Sequence, residues 1–428
     1  MKNKLFFIAL MLCASSTVFA QGGSLYSRFG IGELRIPMTA QMAGMGFAGS
    51  AIADPLYINR ANPAMLTAIN QARISGDFTY IGYLSGTTQT SGYQVVAGFE
   101  GASLAIPIWN ARVAISTGIL PYSRINYKQT QRGITIAPNS GDTVSYTFSY
   151  FGLGGLNSVP VAISAIAFKD ENWGTMRLGG AINFIFGAST QGSEQIFDTF
   201  EFVDSAINFE DRLAGTTFTL GAAYSSKQGI FTSSGQVMLG ASLTTATTLS
   251  GTRQTILTKN LGNAQFQARD TLTVVDGEAK LPSSLVIAVA YKGNANYTIA
   301  ADVLMQDWSS VSYFGRQNEL QRNAMRIALG VEIIPSTEMR SNIFSRIAYR
   351  VGSYYHQTNL QVGGTGIDEW GITFGMGIPL SAESSCLDIY LHYALRGTKE
   401  NNLIQENIFR IGAALNIGER WFLQRKIE

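Results

Sequence analysis

Residues 407–417 read NIFRIGAALNI, and this stretch decides the fold class. Apolar residues such as Phe409 and Ile411 alternate with polar or small ones such as Arg410. An alternation with a period of two is typical of a β-strand that has one apolar face. The same pattern recurs in three other stretches, at residues 175–188, 322–334 and 386–396.

Following the alternation along the chain predicts fourteen strands. They are expected near residues 72–84, 96–108, 111–122, 146–169, 175–188, 213–226, 235–250, 283–293, 295–309, 322–334, 342–356, 367–380, 386–397 and 406–418. Short turns alternate with longer loops, which are expected at residues 85–95, 123–145, 189–212, 251–282, 310–321, 357–366 and 398–405. Two strands are the alternative for 146–169, but the glycines in its middle favour one kinked strand.

The composition narrows the class of protein. Charged residues make up 14% of the chain, against about 25% in ordinary soluble domains. Hydrophobic residues make up 46%, yet no stretch after the N-terminus approaches the ~20 apolar residues of a spanning helix. Backbone groups in lipid must pair internally, so a closed barrel is the remaining spanning architecture. The pattern therefore predicts an all-β, transmembrane, antiparallel β-barrel of fourteen strands.

The chain is organised in three parts. Residues 1–20 have a basic start, an apolar run and a small-residue cleavage site, as in a signal peptide. Residues 21–71 are rich in Gly, Ala and Met without strand alternation, so we expect a plug, or hatch, inside the barrel. Residues 72–428 form the barrel, with a short periplasmic tail after Trp421. Short periplasmic turns and longer external loops place such a chain in the cell outer membrane.

Several classes of function are disfavoured. A net charge of +2 gives no indication of nucleic-acid binding. Cys386 is the only cysteine after the signal peptide, and His356 and His392 are far apart in sequence. Neither an intrachain disulfide nor a metal site is expected, and no cofactor is predicted. No Gly-x-Ser-x-Gly elbow is present, so an enzyme such as a lipase is the least favoured class.

Five short stretches carry a resemblance to a known family. They are GMGFAGSAIAD at residues 44–54, NPAMLT at 62–67, LP at 281–282, DVLMQDWS at 302–309 and MRIALG at 325–330. In this order they resemble the FadL/TodX transporters of long-chain fatty acids and hydrocarbons. The resemblance implies a hatch-plugged barrel that captures a hydrophobic ligand by its loops and passes it on by diffusion through a lumen pocket. It also implies a lateral opening at a kinked strand, for which Gly118 and Pro121 in 111–122 are the candidates.

Asn62, Pro63 and Ala64 are the candidate hatch anchor. Pro63 fixes its own φ and drives Asn62 towards an extended conformation. Asn62 can then bond a nearby backbone group and hold the hatch. The alternative is an ordinary Asx-Pro turn.

The lumen face is predicted to be basic. Eight arginines fall on it, against Asp302, Glu332 and Asp388. Guanidinium groups bind carboxylates in a bidentate manner, so an anionic head group is expected. The candidate ligand-binding residues are Arg322, Arg326, Arg346, Arg350, Arg396 and Trp308, of which the first four are expected to cluster because they come from two neighbouring strands. The alternative is that these arginines pair with acids such as Glu33, Asp54 and Glu332 to pack the hatch.

Two functions follow from these features. The first is passive uptake of small hydrophobic molecules across the outer membrane. The second is a scaffold barrel that docks protein partners, such as a secretion-system component. The predicted loops at 123–145, 189–212 and 251–282 are rich in Thr, Gln, Ser and Asn, which suits a solvated or protein-contacting surface.

Overall fold

The computed structural model describes residues 22–109, 111–199, 202–260, 267–294, 296–317, 321–338, 340–380 and 384–421. The predicted signal peptide, the predicted turn at Asn110 and the tail after Trp421 lie outside these residues. Within them, twenty strands form one antiparallel sheet: β1 (Glu33–Leu34), β2 (Ala72–Gly86), β3 (Ser91–Ile108), β4 (Val113–Pro121), β5 (Ser123–Ile136), β6 (Thr143–Asp170), β7 (Gly174–Phe197), β8 (Asp204–Ser225), β9 (Gln236–Thr244), β10 (Thr247–Asn260), β11 (Gln267–Leu281), β12 (Ser283–Gly293), β13 (Tyr297–Asp307), β14 (Ser312–Tyr313), β15 (Arg316–Gln317), β16 (Ala324–Ile333), β17 (Ala348–Val362), β18 (Thr365–Pro379), β19 (Ser385–Gly397) and β20 (Gln405–Glu419).

These strands make a closed barrel of fourteen wall strands. Three wall strands are each built from two consecutive segments, β4 with β5, β9 with β10 and β11 with β12. The first wall strand, β2, pairs with β3 on one side and with β20 on the other, which closes the ring. β1, β14 and β15 are short additions to the sheet. The prediction of an all-β barrel with fourteen strands is therefore confirmed.

The burial pattern shows which face of the wall is apolar. In β20, Phe409 and Ile411 are 49% and 52% exposed, whereas Arg410 between them is 9% exposed. A soluble sandwich would bury the apolar residues instead. The outward apolar face and the inward polar face are the arrangement of a membrane barrel.

Two ends of the barrel can be distinguished by their connections. Ala72 and Glu419 pair at the end with short connections, here called the turn end, and Gly86 and Gln405 pair near the opposite loop end. Five predicted loops at the loop end are wrong, because 85–95, 123–145, 189–212, 251–282 and 357–366 consist largely of strand. β5 to β8, β10 and β11 extend there as ladders with a weaker alternation. Residues 129–132 of β5 are polar in succession, whereas β8 still exposes Ile207 and Phe209. A short or interrupted alternation is harder to detect in the sequence.

The helical segments are short. They comprise α1 (Ala40–Gly44), α2 (Ile343–Arg346) and the 3₁₀ helices Leu25–Arg28, Pro63–Ala68 and Glu400–Asn402. The strand predicted at 342–356 begins only at Ala348, because the Asn342 side chain caps α2 by accepting a bond from the Phe344 N–H at 3.1 Å. None of the described helices has the length and apolar character needed to cross a membrane.

The segment before β2 lies inside the barrel. Met45, Ala48 and Ala51 are fully buried against small inward residues of the wall such as Ala288 and Ala328. The main core of the protein is thus the contact between this segment and the lumen wall. We refer to residues 22–71 as the hatch.

Candidate functional site: the hatch-filled lumen

Asn62 lies fully buried between the hatch and the wall. Its Oδ1 accepts the N–H of Ala64 at 3.0 Å and caps the 3₁₀ helix that Pro63 begins. Its Nδ2 donates to the carbonyl oxygen of Ala222 in β8 at 3.2 Å. The carbonyl of Ala64 accepts a bond from the Ser164 hydroxyl of β6 at 2.8 Å. The tripeptide therefore joins the hatch to two wall strands.

The turn after α1 is seated directly on the wall. The Gly46 N–H donates to Thr373 Oγ1 at 2.7 Å, and that hydroxyl donates to the carbonyl of Gly44 at 2.9 Å. Gly46 has φ of +66°, a conformation that favours glycine. A Cβ at Gly352 in β17 would lie 2.1 Å from the carbonyl carbon of Met45. Only a glycine in the wall permits this backbone contact.

A wall carboxylate holds the next part of the hatch. The two oxygens of Asp302, which is 4% exposed, accept the N–H groups of Gly49 at 3.0 Å and Ser50 at 2.9 Å. Hydrogen bonds to a carboxylate are stronger than bonds between neutral groups. Asp302 therefore binds hatch backbone.

Arg350 is the centre of a buried ion-pair network near the turn end. Its Nε bonds Glu332 at 2.6 Å, one terminal nitrogen bonds Asp388 at 2.5 Å and the other bonds the Tyr57 hydroxyl at 2.8 Å. Gln41 of the hatch donates to Glu332 at 3.1 Å. We call Arg350, Glu332, Asp388 and Tyr57 the Arg350 network. It connects the hatch to β16, β17 and β19.

Arg396 forms a second group of ion pairs nearer the loop end. It bonds Glu369 at 2.5 Å, Glu33 of the hatch at 2.6 Å and the Ser24 hydroxyl at 3.1 Å. Burial opposes ionisation of Glu33, but Arg396 and Arg35 outweigh it and hold the pKa of Glu33 well below its usual range. Arg396 thus holds the hatch to β18 and β19.

The predicted cluster of four arginines does not form. Arg346 lies in α2 rather than on a lumen-facing strand. Arg322 precedes β16 and pairs with Asp368. Arg350 lies opposite Glu332, whereas Arg326 lies opposite His356. At ~3.3 Å per residue, these two positions are well separated along the strand, so neighbouring strands did not imply neighbouring arginines.

Arg326 and Arg410 differ from the other buried lumen arginines. They are 7% and 9% exposed, and no hydrogen bond or ion pair joins either side chain to the described residues. Arg326 stacks over Phe47 with its guanidinium carbon 5.2 Å from the ring centroid. Both side chains line a cavity of about 100 Å³, which we call the arginine cavity. Four arginines and two glutamates line it: Arg35, Arg326, Arg396, Arg410, Glu33 and Glu369.

A hairpin closes the loop end of the lumen. Trp308, predicted on the lumen face, is 4% exposed and packs with Val311 just before the hairpin of β14 and β15. Arg253 of β10 pairs with Asp211 of β8 through two bonds of 2.7 Å. Its guanidinium carbon also lies 4.3 Å from the ring centroid of Phe314 in the hairpin. The contact of this hairpin with β8 and β10 was not predicted, because the three segments are far apart in the sequence.

The ladder of the wall is interrupted beside the predicted kink. β3 pairs with β4 only from Ala102 to Ile108, and its remaining residues show no ladder with β5 in the described part of the chain. Pairing of β4 with β6 also skips from Thr117 to Leu120, next to Gly118, and β4 ends at Pro121.

The hatch fills this interruption. The Gly22 N–H donates to Asn126 Oδ1 at 3.1 Å, and the Ser27 hydroxyl accepts the Asn126 N–H at 3.1 Å. A cavity of about 530 Å³ remains there, lined by residues of β3, β5, β6 and the hatch. The first residues of the hatch therefore contact the edge of β5, and the short strand β1 pairs with Ser123 and Arg124 of β5.

Solved structures with the same architecture define the class of protein. The toluene transporter TbuX of Ralstonia pickettii has 16% identity and a TM-score of 0.57, with 92% of this chain and 99% of that chain covered. A FadL homologue of Pseudomonas aeruginosa has 14% identity and a TM-score of 0.56, covering 90% and 99%. The toluene transporter TodX of P. putida has 12% identity and a TM-score of 0.55, covering 90% and 100%. The fold is that of the FadL-type outer-membrane barrels.

The family can be stated more narrowly than the fold. The BamG family model matches residues 1–428, so the chain belongs to the BamG family. The search of curated proteins found no match. At these low identities the solved structures establish the architecture of the barrel alone.

No set of three or more described His, Cys, Asp or Glu residues is arranged to hold a metal ion. The described polar groups of the lumen bind one another across the boundary between hatch and wall. These hydrogen bonds and ion pairs fasten the hatch to the wall. The arginine cavity is the exception.

Proposed function

We propose that this protein is a sealed outer-membrane barrel that docks protein partners in a Bam-associated role. The observation that carries the proposal is the fastening of the hatch at several levels of the lumen. The Arg350 network lies near the turn end, the Asn62 anchor and Asp302 lie between, and Arg396 lies near the loop end.

The energetics of these contacts favour a static hatch. Removing one partner of a buried ion pair typically destabilises a protein by about 3–5 kcal/mol. Withdrawing the hatch would break the ion pairs of Glu33 with Arg396 and of Arg60 with Asp77. It would also remove the hydrogen bonds that Gln41 and Tyr57 donate to Glu332 and Asp388, which are 4% and 0% exposed. A passage that required this movement in every transport cycle would be slow.

Two further features support docking. The family to which the chain belongs is named BamG, and that name favours a Bam-associated role. In addition, β5 to β8, β10 and β11 extend the wall on one side as a sheet that exposes apolar residues such as Ile134 and Val274 among polar ones. Exposed apolar side chains with polar residues around them are a feature of protein-binding surfaces.

A disulfide between hatch and wall tests the proposal directly. The position of a Cβ at Gly240 in β9 lies 3.3 Å from Ala51 Cβ in the hatch, close to the ~3.5–4.5 Å of natural disulfides. The variant Ala51→Cys/Gly240→Cys, oxidised in a Cys386→Ser background, should still copurify with its Bam partners at the wild-type ratio. Ala51→Cys alone is the control. Loss of partner binding on oxidation, restored by a reductant, would contradict a static scaffold.

Passive uptake of a small hydrophobic molecule is the second candidate, and the wall interruption favours it. The cavity of about 530 Å³ between β3 and β5 opens a route that leaves the Arg350 network intact. Gly118 and Pro121 flank this route as proposed kink residues. Arg322, Arg350 and Trp308 stay in this candidate only as proposed lumen contacts.

The second candidate predicts transport through the wall. In proteoliposomes, uptake of toluene should fall several-fold in Gly98→Trp, since Gly98 lines this cavity and a Cβ there has no atom within 4 Å. Gly92→Trp, also in open space on β3, is the matched control. Equal uptake by the wild type and by empty liposomes would exclude this candidate.

A further inference from the structure

The arginine cavity contains more positive than negative charge. Four arginines and two glutamates line it, which leaves an excess of two positive charges. Both glutamates are already bound, since Glu33 and Glu369 each accept a bond from Arg396. Glu33 also pairs with Arg35 at 3.6 Å, so the lining provides no carboxylate for Arg326 and Arg410.

Two of the arginines that line the cavity form no ion pair with the described residues. Arg326 and Arg410 are more than nine-tenths buried, and the Arg410 Nε is fully buried without a hydrogen-bond partner in the described residues. Arg35 lines the same cavity as Arg410. Among the described residues, neither Asp302 nor Glu100 forms an ion pair with Arg326 or Arg410: Asp302 binds hatch backbone, and Glu100 accepts the Thr79 hydroxyl at 2.9 Å. A buried guanidinium without an acceptor is unfavourable.

From this arrangement we propose that the arginine cavity binds a small anion, a carboxylate or a phosphate group, between the hatch and the wall. Arg35 comes from the hatch, and Arg326 and Arg410 come from β16 and β20. An oxyanion there would accept bonds from all three and offset the excess charge. This inference does not depend on the proposed docking role.

The size of the cavity limits the ligand. Its volume of about 100 Å³ is below the ~300–1,000 Å³ of pockets for drug-sized molecules. It is large enough for several water molecules and for a single head group, whereas a long acyl chain would have to lie outside it. The chemistry is shared by a free ion and by a lipid head group, and these two sources can be separated by experiment.

The proposal can be tested by isothermal titration calorimetry of the full mature chain in non-ionic detergent at constant ionic strength. Inorganic phosphate, acetate and dihexanoylphosphatidic acid are titrated separately. Binding of inorganic phosphate or acetate with one site per chain supports a free ion, and binding of the phosphatidic acid alone supports a head group. The absence of binding by all three would overturn the proposal and indicate a water-filled cavity.

Matched variants assign the site. Arg326→Met and Arg410→Met should each weaken binding by at least about tenfold, which corresponds to ~1.4 kcal/mol. Arg132→Met changes an exposed arginine of β5 and should bind as the wild type does. An equal loss in Arg132→Met, or no loss in either cavity variant, would refute the assignment.

A second measurement covers the case in which a variant folds poorly. The unfolding temperature of the wild type should rise with the logarithm of ligand concentration, as expected for a ligand that binds only the folded state. Arg326→Lys, which keeps the charge but not the planar fork, should retain part of this rise. A rise of the same size in Arg326→Met would refute the site independently of calorimetry.

Discussion

The Arg350 network and the arginine cavity lie in one lumen and use the same residue types. In the network, one arginine bonds two carboxylates and a tyrosine hydroxyl. In the cavity, Arg396 bonds both glutamates, Arg35 also pairs with Glu33, and Arg326 and Arg410 form no ion pair with the described residues. The Arg350 network therefore has one negative charge in excess, and the residues that line the cavity have two positive charges in excess. An arginine whose donors are paired fastens the hatch, whereas arginines without acceptors are available to a ligand.

The largest effect is expected from Arg350→Met. This change leaves Glu332 and Asp388 buried next to each other without a cation, so we expect a loss of about 3–5 kcal/mol in the free energy of unfolding. Denaturant unfolding in detergent measures it. In the triple variant with Glu332→Gln and Asp388→Asn, much of the stability should return. If Arg350→Met unfolds at the wild-type denaturant concentration, the network is not what fastens the hatch.

A close backbone contact should give the next largest effect. Gly352→Ala places a Cβ 2.1 Å from the Met45 carbonyl carbon, so either the hatch or β17 must shift. We expect about 1–3 kcal/mol of destabilisation, as for an overpacked core. Gly92→Ala, with no atom within 4 Å of the new Cβ, is the control. Equal stability of the two variants would show that the hatch yields easily, contrary to a sealed barrel.

We expect a much smaller effect on stability from a change in the arginine cavity than from one in the Arg350 network. Arg326→Met removes a buried charge that has no ion pair, and the contact with Phe47 that it loses is worth about 0.5–1 kcal/mol. In a buffer free of phosphate and carboxylates, we expect stability within about 1 kcal/mol of the wild type. A loss as large as that of Arg350→Met would mean that Arg326 is paired after all, and the distinction between the two regions would fail.

The sequence predicted the wall better than the lumen. The alternation around Arg410 is a local property, so strand, face and strand number followed from it. The polar extension of β5 was missed because it lacks an apolar face. The partners of the lumen arginines are not local, since Tyr57 and Asp388 are 331 residues apart. The pattern could place Arg326 and Arg350 on the lumen face but could not show which acids lie opposite them.

The smallest effect concerns an acid at the margin of the Arg350 network. Asp54 accepts a bond from Gln41, which also donates to Glu332, and burial followed by repulsion from Glu332 raises the pKa of Asp54 above its ordinary value. A carboxyl whose pKa is raised by folding stabilises the folded state below its unfolded pKa of about 3.9, and this stabilisation is lost as pH rises through the folded pKa.

Asp54→Asn should therefore make the protein slightly more stable than the wild type at neutral pH. The difference should disappear in acid, where Asp54 is protonated and already neutral. The amide keeps the oxygen that accepts the Leu56 N–H at 2.8 Å. Unfolding temperatures measured at pH 7 and in acid, beside Asp142→Asn at an exposed position, test this. Lower stability of Asp54→Asn at pH 7 would mean that a cation offsets Asp54, and the negative excess assigned to this end of the lumen would then be wrong.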